Sequence, residues 1–193
     1  MDFNSGYLEL FLGCMFSGKT TELINIYKKN IYIGKKVAVL NYVGDTRYHT
    51  AMLSNHDKIM IDCIAIHTLS EIWNDESHLK YLELRESDVV LINEGQFFPD
   101  LHLVLEMVET YNKKVYICGL DGDFKRQKFG QMLDLIPYCD KVSKLRSLCS
   151  ECKNGNKGVF SFRSTEETSQ VVIGSDNYKP LCRNCYKSKI SNN

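Results

Sequence analysis

Residues 13–20 read Gly13-Cys14-Met15-Phe16-Ser17-Gly18-Lys19-Thr20, and an apolar run over residues 7–12 leads into them. Behind them Leu23, Ile24, Tyr27 and Ile31 recur at helical spacing, with Gly34 placed as a C-cap. An apolar strand, a glycine-flanked loop and an amphipathic helix form the setting in which G-x-x-x-x-G-K-[ST] binds phosphate. The glycines let the backbone curl so that successive N–H groups face an anion, and the helix starting near Lys19 adds the positive end of its dipole. Gly13, Cys14, Met15, Phe16, Ser17 and Gly18 then line the phosphates, Lys19 reaches the β and γ groups, and the Thr20 hydroxyl ligates Mg²⁺.

Outward from this loop the pattern alternates. Short apolar runs of buried-strand type occupy 37–42, 89–92 and 115–120. Between them, residues 70–85 have helical spacing in Ile72, Trp73, Leu79 and Leu82, and 100–112 in Leu101, Val104, Leu105 and Val108. Repeated strand and helix units predict an α/β fold: a parallel sheet with helices on both faces. The run at 89–92 delivers Asn93 and Glu94 at its carboxyl end, where open α/β sheets bind ligands. Glu94 is assigned to base chemistry. Asn93 brings no charge to a hard cation, so Asp45 is the candidate carboxylate for the metal. The bland alternative for Glu94 is a surface acid capping a loop.

The 193 residues carry 24 Lys plus Arg against 24 Asp plus Glu, so no general electrostatic footprint for nucleic acid or an anionic membrane is expected. The first residues lack a basic stretch followed by a long apolar run, and no segment approaches the length of a membrane span. A soluble, cytoplasmic protein is expected. Four of the eight cysteines form two C-x-x-C pairs, Cys149/Cys152 and Cys182/Cys185, separated by 29 residues. Cys14, Cys63, Cys118 and Cys139 read as ordinary reduced thiols. Two knuckles joined by a β-hairpin would make a closed tetrahedral Zn²⁺ site, which has no open position and is structural. A redox dithiol and a nucleic-acid-binding zinc ribbon are the competing readings. The change to short polar runs near Cys149 places a domain boundary between residues 1–148 and 149–193.

GCMFSGKTTEL, DTRY at 45–48, NEGQFFPD at 93–100, LDGDF at 120–124 and the two C-x-x-C pairs together closely resemble the type II thymidine kinase family, over nearly the whole chain. The resemblance implies a RecA-like P-loop kinase domain and a small zinc-ribbon-like domain whose lasso loop covers the nucleoside. It further implies transfer of the γ-phosphate of ATP to the 5′-hydroxyl of thymidine, with deoxyuridine tolerated, and a homotetramer inhibited by thymidine triphosphate. By position it puts Asp45, Thr46 and Arg47 near phosphate and metal, with Asn93 and Gln96 beside the nucleotide. Glu94 then matches the catalytic base, with Lys19 and Arg47 balancing charge. Met15, Phe97, Leu120, Phe124 and Phe129 match walls of the nucleoside pocket, and Ser161 the residue near the thymine methyl group. In the lasso, Val171, Val172, Ile173, Gly174 and Ser175 match the backbone that hydrogen-bonds thymine, and Tyr178 the ring that closes over the nucleoside.

The chain departs from the family pattern in three places. Asn93 stands where an Asp is usual, the lasso has one glycine where two adjacent ones are usual, and the linker from Cys152 to Ser161 is slightly long. Judged by residues alone, another P-loop ATPase or nucleoside kinase, or a non-enzymatic nucleotide-binding protein, also fits.

Overall fold

The apolar runs pair into one parallel sheet. A computed structural model describes residues 5–44, 52–54, 58–172, 174 and 176–191. The first half contains β1 (Tyr7–Gly13), α1 (Lys19–Tyr32), β2 (Val37–Tyr42), β3 (Met52–Ser54), β4 (Met60–Asp62), β5 (Ile64–Ile66), α2 (Ser70–Trp73) and α3 (Tyr81–Arg85). Then follow β6 (Val89–Ile92), α4 (Val104–Glu109), β7 (Lys114–Gly119), β8 (Lys141–Leu145), β9 (Ser147–Leu148), β10 (Lys157–Gly158), β11 (Phe160–Arg163), β12 (Tyr178–Leu181) and α5 (Arg183–Ser191). The central sheet has the order β5-β2-β6-β7-β1-β8, and every neighbouring pair is parallel. Because all six strands run the same way, the loops after β1, β2, β6 and β7 open on one edge.

The alternation of β1 shows why both faces must be covered. Leu8, Leu10 and Leu12 enter a core with Trp73, Leu101, Val104 and Met132, while Phe11 enters a second core with Leu23, Ile24 and Val39 from α1 and β2. Helix α1 ends as its sequence requires: Gly34, at φ 75°, donates to the Ile31 carbonyl and Lys35 to that of Asn30.

Two expected helices are altered. The 70–85 segment is split, because the Asp75 side chain captures the N–H and hydroxyl of Ser77 and turns the chain. Leu79 is consequently 98% exposed, and Leu84 takes the buried position. The 100–112 segment opens with a 3₁₀ turn, Leu101–Leu103, and only Val104–Glu109 is α-helical. Strands β3, β4, β5 and β8 are additional to the expected set.

Beyond β8, two short antiparallel pairs, β9 with β10 and β11 with β12, precede α5. Their small core gathers Cys149, Leu181, Cys182 and Tyr186. This part is seated on the loop that follows β7: the Tyr186 hydroxyl donates to the Phe124 carbonyl at 2.5 Å, and the Arg126 guanidinium lies 4.8 Å from the Tyr186 ring centre. Among the described residues, no helix is long and apolar enough to cross a membrane.

Candidate functional site

The loop between β1 and α1 is shaped for an anion. Gly18 enters α1 at φ 85° and provides no side-chain cap, leaving the first N–H groups of the helix directed outward. A Cβ on Gly13 would come within 2.5 Å of the Leu145 carbonyl oxygen, so a larger residue cannot occupy that turn. Lys19 is 8% exposed, and its Nζ donates to the Cys14 carbonyl at 2.8 Å. The Ser17 Oγ is buried with no hydrogen-bond partner among the described residues. A buried ammonium with one neutral acceptor and an orphaned hydroxyl beside uncapped amides are what a bound phosphate would satisfy.

Three strand ends and the first turn of α1 meet beside this loop. The Asn93 amide, following β6, donates to Asn41 Oδ1 on β2 at 2.8 Å. Asn93 Oδ1 accepts from Cys118 Sγ on β7 at 3.0 Å and from Thr20 Oγ1 on α1 at 3.4 Å. The next residue, Glu94, adopts the left-handed region at φ 54°, ψ 43°, a strained choice for a side chain of this kind. Gln96 holds it: Gln96 Nε2 donates to Glu94 Oε2 at 2.5 Å, while the Leu120 N–H fixes Gln96 Oε1 at 2.9 Å.

Lys19 and Glu94 line the same cavity, of about 670 Å³. Its wall includes Met15, Phe97, Leu120, Phe129, Val171, Val172, Gly174 and Tyr178, together with Tyr42 and Gln170. Tyr42 stacks on Phe97 with centroids 5.1 Å apart at 28°, and Phe97 meets Phe129 edge-on at 5.5 Å. Together these rings form an aromatic wall of the cavity that also holds the phosphate loop.

The four C-x-x-C sulfurs lie within 4.8 Å of one another. A tetrahedral Zn²⁺ with bonds of about 2.3 Å spaces its sulfurs at roughly 3.8 Å, so the cluster has the right size. Burial opposes ionising Cys149, but backbone hydrogen bonds from Cys182, Cys152 and Glu151 bring its pKa down to about 6. Cys185 is pushed up to about 12, first by its hydrogen bond to Cys182 and then by burial. Cys149 ionises readily while Cys185 resists ionising, an electrostatic conflict that a dication relieves.

A model of the family described as thymidine kinase matches residues 6–186. The chain belongs to the thymidine kinase family. It is 38% identical to thymidine kinase a of Arabidopsis thaliana over 184 residues, covering 94% of this chain and 75% of that one. Against the thymidine kinase of Yaba monkey tumor virus (strain VR587) the identity is 36% over 193 residues, the whole of both chains. The cytosolic thymidine kinase of Bos taurus is 34% identical over 187 residues, covering 96% of this chain and 74% of that one.

In this member of the thymidine kinase family, one cavity brings together, from the residues named in the sequence, Met15 to Thr20, Glu94, Gln96, Phe97, Leu120, Phe129, Val171, Val172, Gly174 and Tyr178. Asp45, Thr46, Arg47, Ile173 and Ser175 lie outside the described residues. Three placements differ from the expected roles. Phe124 stacks beneath the Arg163 guanidinium at 3.7 Å instead of facing the cavity. Ser161 uses its Oγ to accept the Met15 N–H at 2.9 Å, so it braces the phosphate loop. Asn93, 1% exposed, sits beneath the cavity in the amide network. The reading overlooked Tyr42 and Gln170. Tyr42 did carry a signal, since it ends an apolar strand at the edge where ligands bind.

Proposed function

We propose that this chain transfers the γ-phosphate of ATP to the 5′-hydroxyl of thymidine, giving thymidine monophosphate for salvage into DNA precursors. The observation that carries this reading is that Lys19, on the anion-shaped loop, and Glu94, held by Gln96, line one cavity with an aromatic wall. Phosphoryl transfer asks little covalent chemistry of a protein, so placement and charge decide the rate. The loop amides and Lys19 balance charge on the phosphoryl oxygens, joined by Arg47. Glu94 takes the proton of the attacking hydroxyl. Thr20 and Asp45 would hold Mg²⁺, which adds positive charge next to the β and γ oxygens.

The aromatic wall of Phe97, Phe129 and Tyr42 suits a flat base laid against it. Backbone groups of residues 171–175 read the base edge in this proposal. Cytosine is rejected because its donors and acceptors leave buried groups unpaired, whereas deoxyuridine lacks only a methyl contact. We assign the four cysteines to one structural Zn²⁺ and divide the chain into a kinase domain, 1–148, and a zinc-binding lasso domain, 149–193. A cytoplasmic homotetramer inhibited by thymidine triphosphate follows from the resemblance of the motifs.

Glu94→Gln is expected to lower kcat by about 10²–10⁴-fold while ATP binding and thermal stability stay as in the parent protein. Full activity in that variant would remove Glu94 as the base. In a substrate panel, deoxyuridine should be phosphorylated and deoxycytidine refused; equal turnover of deoxycytidine overturns the thymine reading.

A further inference from the structure

Arg163 closes β11 with a side chain that is only 4% exposed. Its guanidinium lies 3.7 Å from the Phe124 ring centre and 5.1 Å from that of Tyr178. Nη1 donates to the carbonyls of Glu167, at 2.8 Å, and Ser169. Nη2 donates to the Gln170 carbonyl, at 3.1 Å, and to the Tyr178 hydroxyl, which donates onward to the Val172 carbonyl at 3.2 Å. One side chain thus holds three backbone positions directly and a fourth through a single hydroxyl.

None of these partners is a carboxylate. A buried guanidinium whose hydrogen bonds go to carbonyls and one hydroxyl, with the Glu167 carboxylate acting on it only from a distance, is costly as a mere staple between two strands. Its planar fan of donors is suited to gathering carbonyls that converge from one loop. The described residues between β11 and β12 form no helix or strand, so this loop lacks a ladder of its own to define its shape. From outside, Gln170 Nε2 ties the same loop to Asp123 Oδ2 at 2.9 Å. Val171, Val172, Gly174 and Tyr178 from this segment line the cavity, and Arg163 does not.

We propose that Arg163 is a positioning residue that shapes the lasso before any nucleoside arrives, and so sets thymidine affinity and base discrimination without touching the base. This rests on the reading of the cavity as the thymidine site. Ordering the loop in advance means that binding does not have to meet that entropy. Removing the fan returns the lasso to an ensemble in which only a fraction is competent, and apparent affinity falls by that fraction.

The test compares Arg163→Met, which keeps an apolar stem and loses every donor, with Arg163→Lys. In Arg163→Met the thymidine KM should rise by about tenfold or more while kcat stays within about threefold. The KM for ATP, the zinc content and the thermal midpoint should be unchanged, and the thymidine-to-deoxycytidine ratio of kcat/KM should fall by roughly tenfold. Lysine should preserve folding but not restore the thymidine KM, because three donors on one nitrogen cannot span these acceptors.

Hydrogen exchange of the 164–177 peptide in nucleoside-free protein should be at least about tenfold faster in Arg163→Met, with β1 unaffected. A thymidine KM within twofold of the parent, rescue by lysine, or equal loss toward both substrates with release of zinc would each overturn the proposal. The exchange arm needs no catalysis. If the parent protein failed to phosphorylate thymidine yet the exchange difference persisted, the substrate reading would fall and the clamp would stand.

Discussion

Asn93 presents the sharpest case at the scale of a single residue. Its amide gives one hydrogen bond to Asn41 and receives two, from Cys118 and Thr20. A carboxylate here would place an acceptor against Asn41 Oδ1 unless that amide turned over, and would bury a charge. Asn93→Asp is therefore expected to lose about 1–2 kcal/mol of stability in denaturant unfolding. The same change should lower the Mg²⁺ concentration needed for half-maximal turnover, because the added charge adjoins Thr20. An unchanged Mg²⁺ requirement would show that residue 93 does not report on the cation. The placement of this residue and of Glu94 at the end of a strand was legible in the sequence. Gln96 was not legible as Glu94's support, because its fixed orientation depends on the Leu120 N–H after a different strand.

Among the elements, the split of the 70–85 segment shows where periodicity misleads. Ile72, Trp73, Leu79 and Leu82 satisfy helical spacing, yet Leu79 is 98% and Leu82 is 64% exposed. The side chain of Asp75 offers the backbone a turn, and local hydrogen bonds of this kind are invisible to a count of apolar intervals. Leu79→Ser should thus shift stability by no more than about 0.5 kcal/mol. Leu84→Ala, in the fully buried position, should cost about 2–5 kcal/mol. Paired denaturation curves would decide, and a large loss at Leu79 would reinstate a continuous helix. The short strands β3, β4 and β5 escaped notice at three residues each, and β8 because its edge position leaves Lys141 and Lys144 among its five residues. The central strands were legible for the opposite reason: burial on both faces makes them apolar throughout.

Across the whole molecule, charge and metal report on different regions. Lys113 precedes β7 at the far edge of the sheet, 4% exposed, with its Nζ donating to the carbonyls of Arg85 and Ser87. Burial, and then the neighbouring Arg85, bring its pKa from 10.5 down to about 8, with Asp88 acting in the other direction. The folded protein releases this proton first, so between pH 8 and 10.5 the unfolded chain binds more protons and stability rises. Relative to Lys113→Met, the parent should gain up to about 3 kcal/mol across that window, read from denaturation at several pH values. Tyr7 and Tyr116, both raised mainly by burial, weaken the fold at alkaline pH but do so in both proteins and cancel. A constant difference would refute the assignment.

Removing the proposed Zn²⁺ tests the other end. Chelation should abolish thymidine turnover and also weaken ATP binding by about fivefold, since Met15 loses its Ser161 acceptor. Titration with a fluorescent ATP analogue would measure it, and unaltered affinity would mean that the loop keeps its form unaided.

That same bond between Met15 and Ser161 limits how freely the parts can be exchanged. The tail also supplies the Gly158 carbonyl to the Cys14 thiol at 3.4 Å, so the first turn of the phosphate loop leans on atoms 144 and 146 residues away. A chimera carrying a relative's tail will inherit that relative's grip on the loop, and a graft that binds its metal well can still disable the donor site. Interchangeability here depends on a hydroxyl and a carbonyl matched across the seam more than on the similarity of either half.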